Sequence, residues 1–166
     1  MSMLAGRTIV AFSLSVFAAT AVPLLSGLVS ERVAAHTEHE LAAGEQGDPK
    51  KPFRTIEIVM TEGLGSMTYS VDRIEVRRGE QIRFVLRNTG KLAHEFLLDS
   101  VENNAKHKSK MEEHSEMEHD EVNGKWVEPK TSGDILWRFT KAGTFEFACL
   151  IPGHYEAGMK GIVVVK

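Results

Sequence analysis

Cysteine is nearly absent from this chain: a single thiol, Cys149, stands among 166 residues. One cysteine excludes an intramolecular disulfide framework and any paired-cysteine zinc or thiol-redox motif. A surplus of charge is missing too, since 20 basic and 23 acidic residues leave a net charge of only −3. A chain organised around nucleic acid usually carries a basic excess, so that class is set aside. The sequence also lacks an internal repeat, a glycine-rich loop able to cradle phosphate, a nucleophile–base pair and a convincing amphipathic helix. At this length there is room for one domain and not for two substantial cores. What remains is a small globular domain whose interest lies in where its seven His, seven Met and one Cys are placed.

The first 35 residues differ from the rest. Arg7 gives a positive start, residues 9–29 form an uncharged and largely apolar run, and Val33-Ala34-Ala35 offers small residues before His36. Ala19-Thr20-Ala21 is a second cleavage candidate. This is the layout of a secretory signal peptide over residues 1–35, which directs the product to the periplasm. The run is also just long enough to span a bilayer, so the protein stays on a membrane only if the segment is left uncleaved. Pro23, Ser26 and Gly27 interrupt it and favour export with cleavage. A lone thiol in an oxidising compartment is either buried and inert or held by another group. Residues 36–52 are polar and read as a flexible leader, in which His36 and His39 are incidental or form a loose metal site.

From residue 53 the hydrophobic pattern has period two. Ile56, Ile58 and Met60 share one face while Thr55 and Glu57 take the other, Ile74 and Val76 alternate with Glu75, and Ile82, Phe84 and Leu86 alternate with Gln81, Arg83 and Arg87. Ile135, Trp137 and Phe139 repeat the pattern, then Phe145, Phe147 and Cys149, and the chain closes on the apolar run 162–165. Short strands separated by glycine turns predict an all-β fold, an antiparallel β-sandwich over residues 53–166. Alternation puts Cys149 on the inward face with Phe145 and Phe147, at the end of its strand. Residues 99–132 break the pattern and read as a long inserted loop. Its segment 111–121, MEEHSEMEHDE, holds six carboxylates, two His and two Met without a basic residue.

Chemistry concentrates near the C-terminus. Cys149, His154 and Met159 lie on one loop at Cys-x4-His-x4-Met spacing, and Pro152, Gly153 and Gly158 allow that loop to turn back. His94 begins an apolar run that a sandwich can lay beside the strand ending in Cys149. Thiolate and thioether favour Cu(I) and imidazoles accept Cu(II), so a trigonal His2Cys set with an axial Met suits copper in both states. Zinc on Cys and two His is an alternative that leaves the Met unexplained.

The segments HEFLL (94–98) and GTFEFACLIPGHYEAGMKG (143–161) resemble the cupredoxins, small blue-copper proteins. The resemblance spans about residues 53–166 and implies a Greek-key β-sandwich with one type 1 copper. It implies His94, Cys149 and His154 as equatorial ligands and Met159 as the axial one. The four-residue spacers look more like rusticyanin-type members than plastocyanins. The phrase PGHYEAGMKG together with the acidic Met/His-rich insertion is most similar to periplasmic copper-tolerance members.

Met111, His114, Met117 and His119 offer a second, labile set of copper donors, and the surrounding carboxylates attract cations. The plain alternative is a solvated acidic loop. Three functions compete. The first is copper handling and tolerance with a redox-competent site. The second is electron carriage between periplasmic partners, with docking where His154 nears the surface. An enzyme is disfavoured, because no second centre for substrate chemistry is visible.

Overall fold

A computed structural model describes residues 41–113 and 120–166. The expected signal peptide, together with His36 and His39, lies outside the described residues. The strands are β1 (Gly44–Gln46), β2 (Arg54–Glu62), β3 (Met67–Tyr69), β4 (Arg73–Val76), β5 (Gln81–Asn88), β6 (His94–Asp99), β7 (Gly124–Val127), β8 (Ser132–Phe139), β9 (Gly143–Ala148) and β10 (Lys160–Val165). One helix, α1 (Val101–Glu113), stands between β6 and β7. The strands form two five-stranded sheets, in the orders β1-β8-β5-β2-β3 and β4-β10-β9-β6-β7.

The expected sandwich is there, and its faces follow from side-chain alternation. Ile58, Met60, Ile82, Phe84, Leu86, Trp137 and Phe139 line the inner face of the first sheet, and Phe96, Leu98, Phe147, Val163 and Val165 that of the second. Rings fill the gap between them. Phe147 stacks on Phe96 with centroids 5.3 Å apart and meets Tyr69 edge-on at 5.3 Å, while Phe96 lies 5.2 Å from Phe84. Burial of that many large side chains is the main stabilising term.

Three expectations need correction. The sheets are mixed rather than purely antiparallel, because β2 pairs with β5 and β10 with β4 in parallel. After β3 the chain crosses to the second sheet for β4 and returns for β5, which leaves β2 and β5 running the same way. Alternation reports which face a residue takes and says nothing of strand direction.

Residues 41–52 are not a free leader. Ala43 is wholly buried and β1 pairs antiparallel with β8. Gly47 then donates its N–H to the Leu136 carbonyl at 2.8 Å, and Asp48 to Gln81 Oε1 at 2.6 Å. Small and polar residues make this edge, so no apolar alternation announced it.

The segment 99–132 is not one loop, since it contains α1 and β7. Ser100 starts the helix, its Oγ accepting the Asn103 N–H at 3.1 Å as an N-terminal cap. The helix packs on β6 and β9. That cover explains why all six residues of β6 are buried and why its sequence reads as an apolar run rather than an alternation. Leu97, Ala148 and Leu150 form a small second cluster on this outer face, with Tyr155 packed against it.

Candidate metal centre

His94 is the first residue of β6, and Cys149 follows β9 directly. These strands pair antiparallel, with Leu97 opposite Ala148. Continuing the ladder beyond the end of β9 brings the Glu95 N–H to the Cys149 sulfur, Sγ accepting at 3.3 Å. The segment after Cys149 then folds back on itself. His154 donates its N–H to the Ile151 carbonyl, Met159 to that of His154 and Cys149 to that of Met159, at 3.0, 3.1 and 3.0 Å. Gly153 and Gly158 hold φ values of +85° and +98°, a left-handed backbone that side-chain-bearing residues seldom adopt. These two glycines let one short loop carry three sulfur and nitrogen side chains to the same end of the sandwich.

The result is a tight cluster. His154 Nδ1 lies 3.3 Å from His94 Nδ1 and 3.3 Å from Cys149 Sγ. One donor atom from each of the three residues falls within 4.8 Å of the others. His94, Cys149 and Met159 are wholly buried, and His154 keeps 8% of its surface. Met159 belongs to the same buried cluster as Cys149 and Phe147.

The protonation states of the three side chains follow from their burial. Burial pushes the Cys149 thiol up to about 12 in the metal-free protein, against the opposing Glu95 N–H, while the nearby Glu95 carboxylate adds to the rise. Burial lowers His154, and the neighbouring His94 lowers it further. Burial also lowers His94, although the Glu62 carboxylate opposes this. Two neutral imidazoles offer lone pairs at one point beside a shielded thiol, whose proton a metal ion would displace. Separations of 3.3 Å are close to those of nitrogen donors sharing one ion at bonds of about 2.0–2.1 Å. The donor set fits copper, whose two oxidation states divide their preference between sulfur and imidazole.

Around these side chains stand residues that no sequence motif marks. Glu62, at the end of β2, places Oε1 3.1 Å from His94 Nε2. Burial alone would raise its carboxyl, but the N–H groups of Leu92 and Lys91 and the His94 imidazole hold it below its ordinary value. An ionised carboxylate only accepts, so Nε2 carries the proton and Nδ1 faces the cluster with its lone pair. Glu95 is 2% exposed and its Oε2 accepts the Leu150 N–H at 3.2 Å. Tyr69 donates its hydroxyl to the Glu95 carbonyl at 2.5 Å. A glutamate inside the apolar run 94–98 was the one available signal for Glu95. Glu62 lies 32 positions from its partner, and nothing local marks it.

The second donor set fares differently. Met111 lies on the last turn of α1 and is 1% exposed, which turns it into the fold rather than toward solvent. The helix continues through that position and places Met111 seven residues after buried Asn104, on the packed face. His114, Met117 and His119 lie outside the described residues.

A mixed two-sheet sandwich with two imidazoles and a thiol gathered at one end defines a cupredoxin, a small copper-binding β protein. The sequence model of the copper-binding proteins of the plastocyanin/azurin family matches residues 56–166, and the chain belongs to that family. It is 46% identical over 123 residues to the copper-resistant cuproprotein CopI of Rubrivivax gelatinosus, covering 74% of this chain and 73% of that one. The CopI of Pseudomonas aeruginosa is 37% identical over 172 residues, covering 86% and 93%. Among solved structures, reduced auracyanin from Roseiflexus castenholzii superposes with a TM-score of 0.58 at 25% identity, over 68% of this chain and 96% of that one.

Proposed function

We propose that this protein is exported to the periplasm and confers copper tolerance by holding one copper ion on His94, Cys149, His154 and Met159. The observation that carries the reading is the buried cluster of two imidazole nitrogens and one sulfur within 4.8 Å. Relatives that bear the name copper-resistant cuproprotein support the physiological half of it. Copper bound there supplies one-electron chemistry between Cu(I) and Cu(II).

The chain's own residues do the rest. Glu62 fixes the tautomer of His94, and the Glu95 N–H stabilises negative charge on the Cys149 sulfur. Phe147, in the same buried cluster as Cys149, helps to exclude water from the donors. We read the protein as a binder rather than an enzyme, because every functional feature identified serves to hold an ion.

Electron carriage is the second reading, favoured by His154, the one donor that reaches the surface. A redox or copper-transport protein of the periplasm would dock there, against Ile151, Pro152 and Ala157. Growth in copper separates the two. Cells lacking the protein are expected to regain tolerance with the wild-type chain and not with Cys149→Ser. One copper per chain, with tolerance unaffected by Cys149→Ser and a respiratory or photosynthetic defect in its place, would overturn the tolerance reading in favour of carriage.

A further inference from the structure

Helix α1 carries an inward stripe that makes poor sense as a core. Asn104, His107, Lys108 and Met111 stand at i, i+3, i+4 and i+7, one face of the helix, and only Met111 is apolar. His107 and Lys108 meet residues beside the candidate ligands, and Asn104 is linked to the same loop through Glu146. The Asn104 amide donates from Nδ2 to the Glu146 carbonyl at 3.3 Å and to Glu146 Oε1 at 3.1 Å. The other oxygen of Glu146 accepts the Tyr155 hydroxyl at 3.0 Å, next to His154. His107 lies between two carboxylates, with Nε2 3.8 Å from Glu95 Oε1 and Nδ1 4.0 Å from Glu121 Oε1. Lys108 pairs with Glu156 Oε1 at 2.8 Å, besides its helix neighbour Glu112 at 2.5 Å. One of these contacts, Lys108 with Glu156, ends on the loop between Cys149 and Met159, and Asn104 reaches that loop through Glu146 and Tyr155. The third ends on Glu95, whose carboxylate and N–H both reach the start of that loop.

We propose that α1 is a brace on the metal-binding loop, with Asn104, His107 and Lys108 as positioning residues that keep the three donors gathered whether or not an ion is bound. A loop of ten or so residues bent by two left-handed glycines is costly to hold in one conformation, because each ordered residue loses backbone entropy. Cross-links to a rigid helix remove that freedom before the metal arrives, which speeds loading, slows release and resists rearrangement on a change of oxidation state. A polar stripe suits this task better than an apolar one, since the groups it must fix on the loop side are carboxylates. Two buried carboxylates, Glu95 and Glu146, are each met by one residue of the stripe.

The proposal rests on the copper reading, and its test separates the two. Hydrogen exchange of the metal-free mature protein, read over residues 150–158, reports the brace without copper. Transfer of Cu(I) from the loaded protein to a colorimetric chelator reports its effect on holding the ion. Asn104→Ala is expected to raise both rates about tenfold, and Lys108→Met about threefold, in line with the loss of a buried hydrogen bond and of a partly screened ion pair. Lys108→Arg should restore both rates. Lys106→Met, which removes a pair with Glu102 inside the helix, should leave them unchanged.

Should Asn104→Ala not fold, Tyr155→Phe removes the same link from the loop side and carries the test. Unchanged exchange over 150–158 in both Lys108→Met and the Asn104 or Tyr155 variant would overturn the brace. Faster exchange in a protein whose wild type takes up no copper would leave the brace standing and overturn the copper reading.

Discussion

Removing the Glu62 carboxylate tests the electrostatics of the centre without touching a donor. Its oxygens take the N–H of Leu92 at 2.8 Å and of Lys91 at 3.0 Å, and Oε1 lies 3.1 Å from His94 Nε2. Gly90 stands so close that a Cβ built there would fall 2.2 Å from Glu62 Oε1, so the turn is wrapped around the carboxylate. In Glu62→Ala the Lys91 and Leu92 N–H groups lie on the surface and water replaces their partner at small cost. The His94 bond is different, because the imidazole is wholly buried and loses the group that fixes its proton on Nε2. A charge-assisted hydrogen bond contributes roughly 1.5–3 kcal/mol, and one end of this one is partly exposed. We therefore expect about 1.5 kcal/mol, or roughly tenfold weaker Cu(I) binding, at the lower end of the usual range for a residue that orients a metal ligand. Glu62→Gln keeps an acceptor oxygen and should lose about threefold. The assay is competition against a Cu(I) chelator of known affinity, with thermal unfolding of the metal-free variants as the control for the fold. Affinity within twofold of wild type in a folded Glu62→Ala protein would refute the claim that this carboxylate sets the tautomer of His94.

Other expectations concern the donors and the core. Cys149→Ser should abolish the intense thiolate-to-copper absorption, whereas Met159→Leu should keep the band and shift the reduction potential, because an axial thioether bond is weak. Survival of the band in Cys149→Ser would remove the thiolate from the site. Copper uptake near pH 7.5 should release about one proton per ion into a weakly buffered indicator solution. The thiol, held up to about 12, must give up its proton, while burial keeps both imidazoles already neutral. Release of none would contradict that shift. The same shifts limit the metal-free fold from both sides. A thiol raised from 9.0 contributes stability that is full below pH 9 and lost as the pH climbs toward about 12, and lowered imidazoles contribute stability lost as the pH falls below 6.5. Unfolding free energy against pH checks both arms. Phe147→Ala deletes a wholly buried ring that touches Phe96 and Tyr69, and should cost about 3–5 kcal/mol in denaturant unfolding.

How much of this was legible in the sequence depends on whether the information is local. Strands β5 and β8 announce themselves, since each has one face on the core and one in water. The loop from Cys149 to Met159 is legible for a related reason: three candidate donors and two turn-forming glycines fall within eleven residues. His94 needed one further step, the inference that an apolar run can lie beside the strand ending in Cys149, and the β6–β9 pairing supplies it. Edge strand β1 has three residues and almost no apolar content, so its backbone pairing with β8 leaves no pattern to read.

Helix α1 is the most instructive miss. A capping serine, Ser100, precedes it, and its Glu102–Lys106 and Lys108–Glu112 pairs have the i,i+4 spacing of a helix surface. The expected apolar stripe is missing because Asn104, His107 and Lys108 occupy it, facing carboxylates rather than a hydrophobic core. A reader who weighs only hydrophobic periodicity therefore dismisses the helix for the very property that links it to the metal-binding loop. Glu62 and Glu95 escape for the complementary reason. Each is a charged residue at a strand end, and each is distinguished from a solvated glutamate only by partners that the fold brings from 30 to 55 positions away. In this protein, polar residues in places that hydrophobic patterning would call wrong mark the structure closest to the donors.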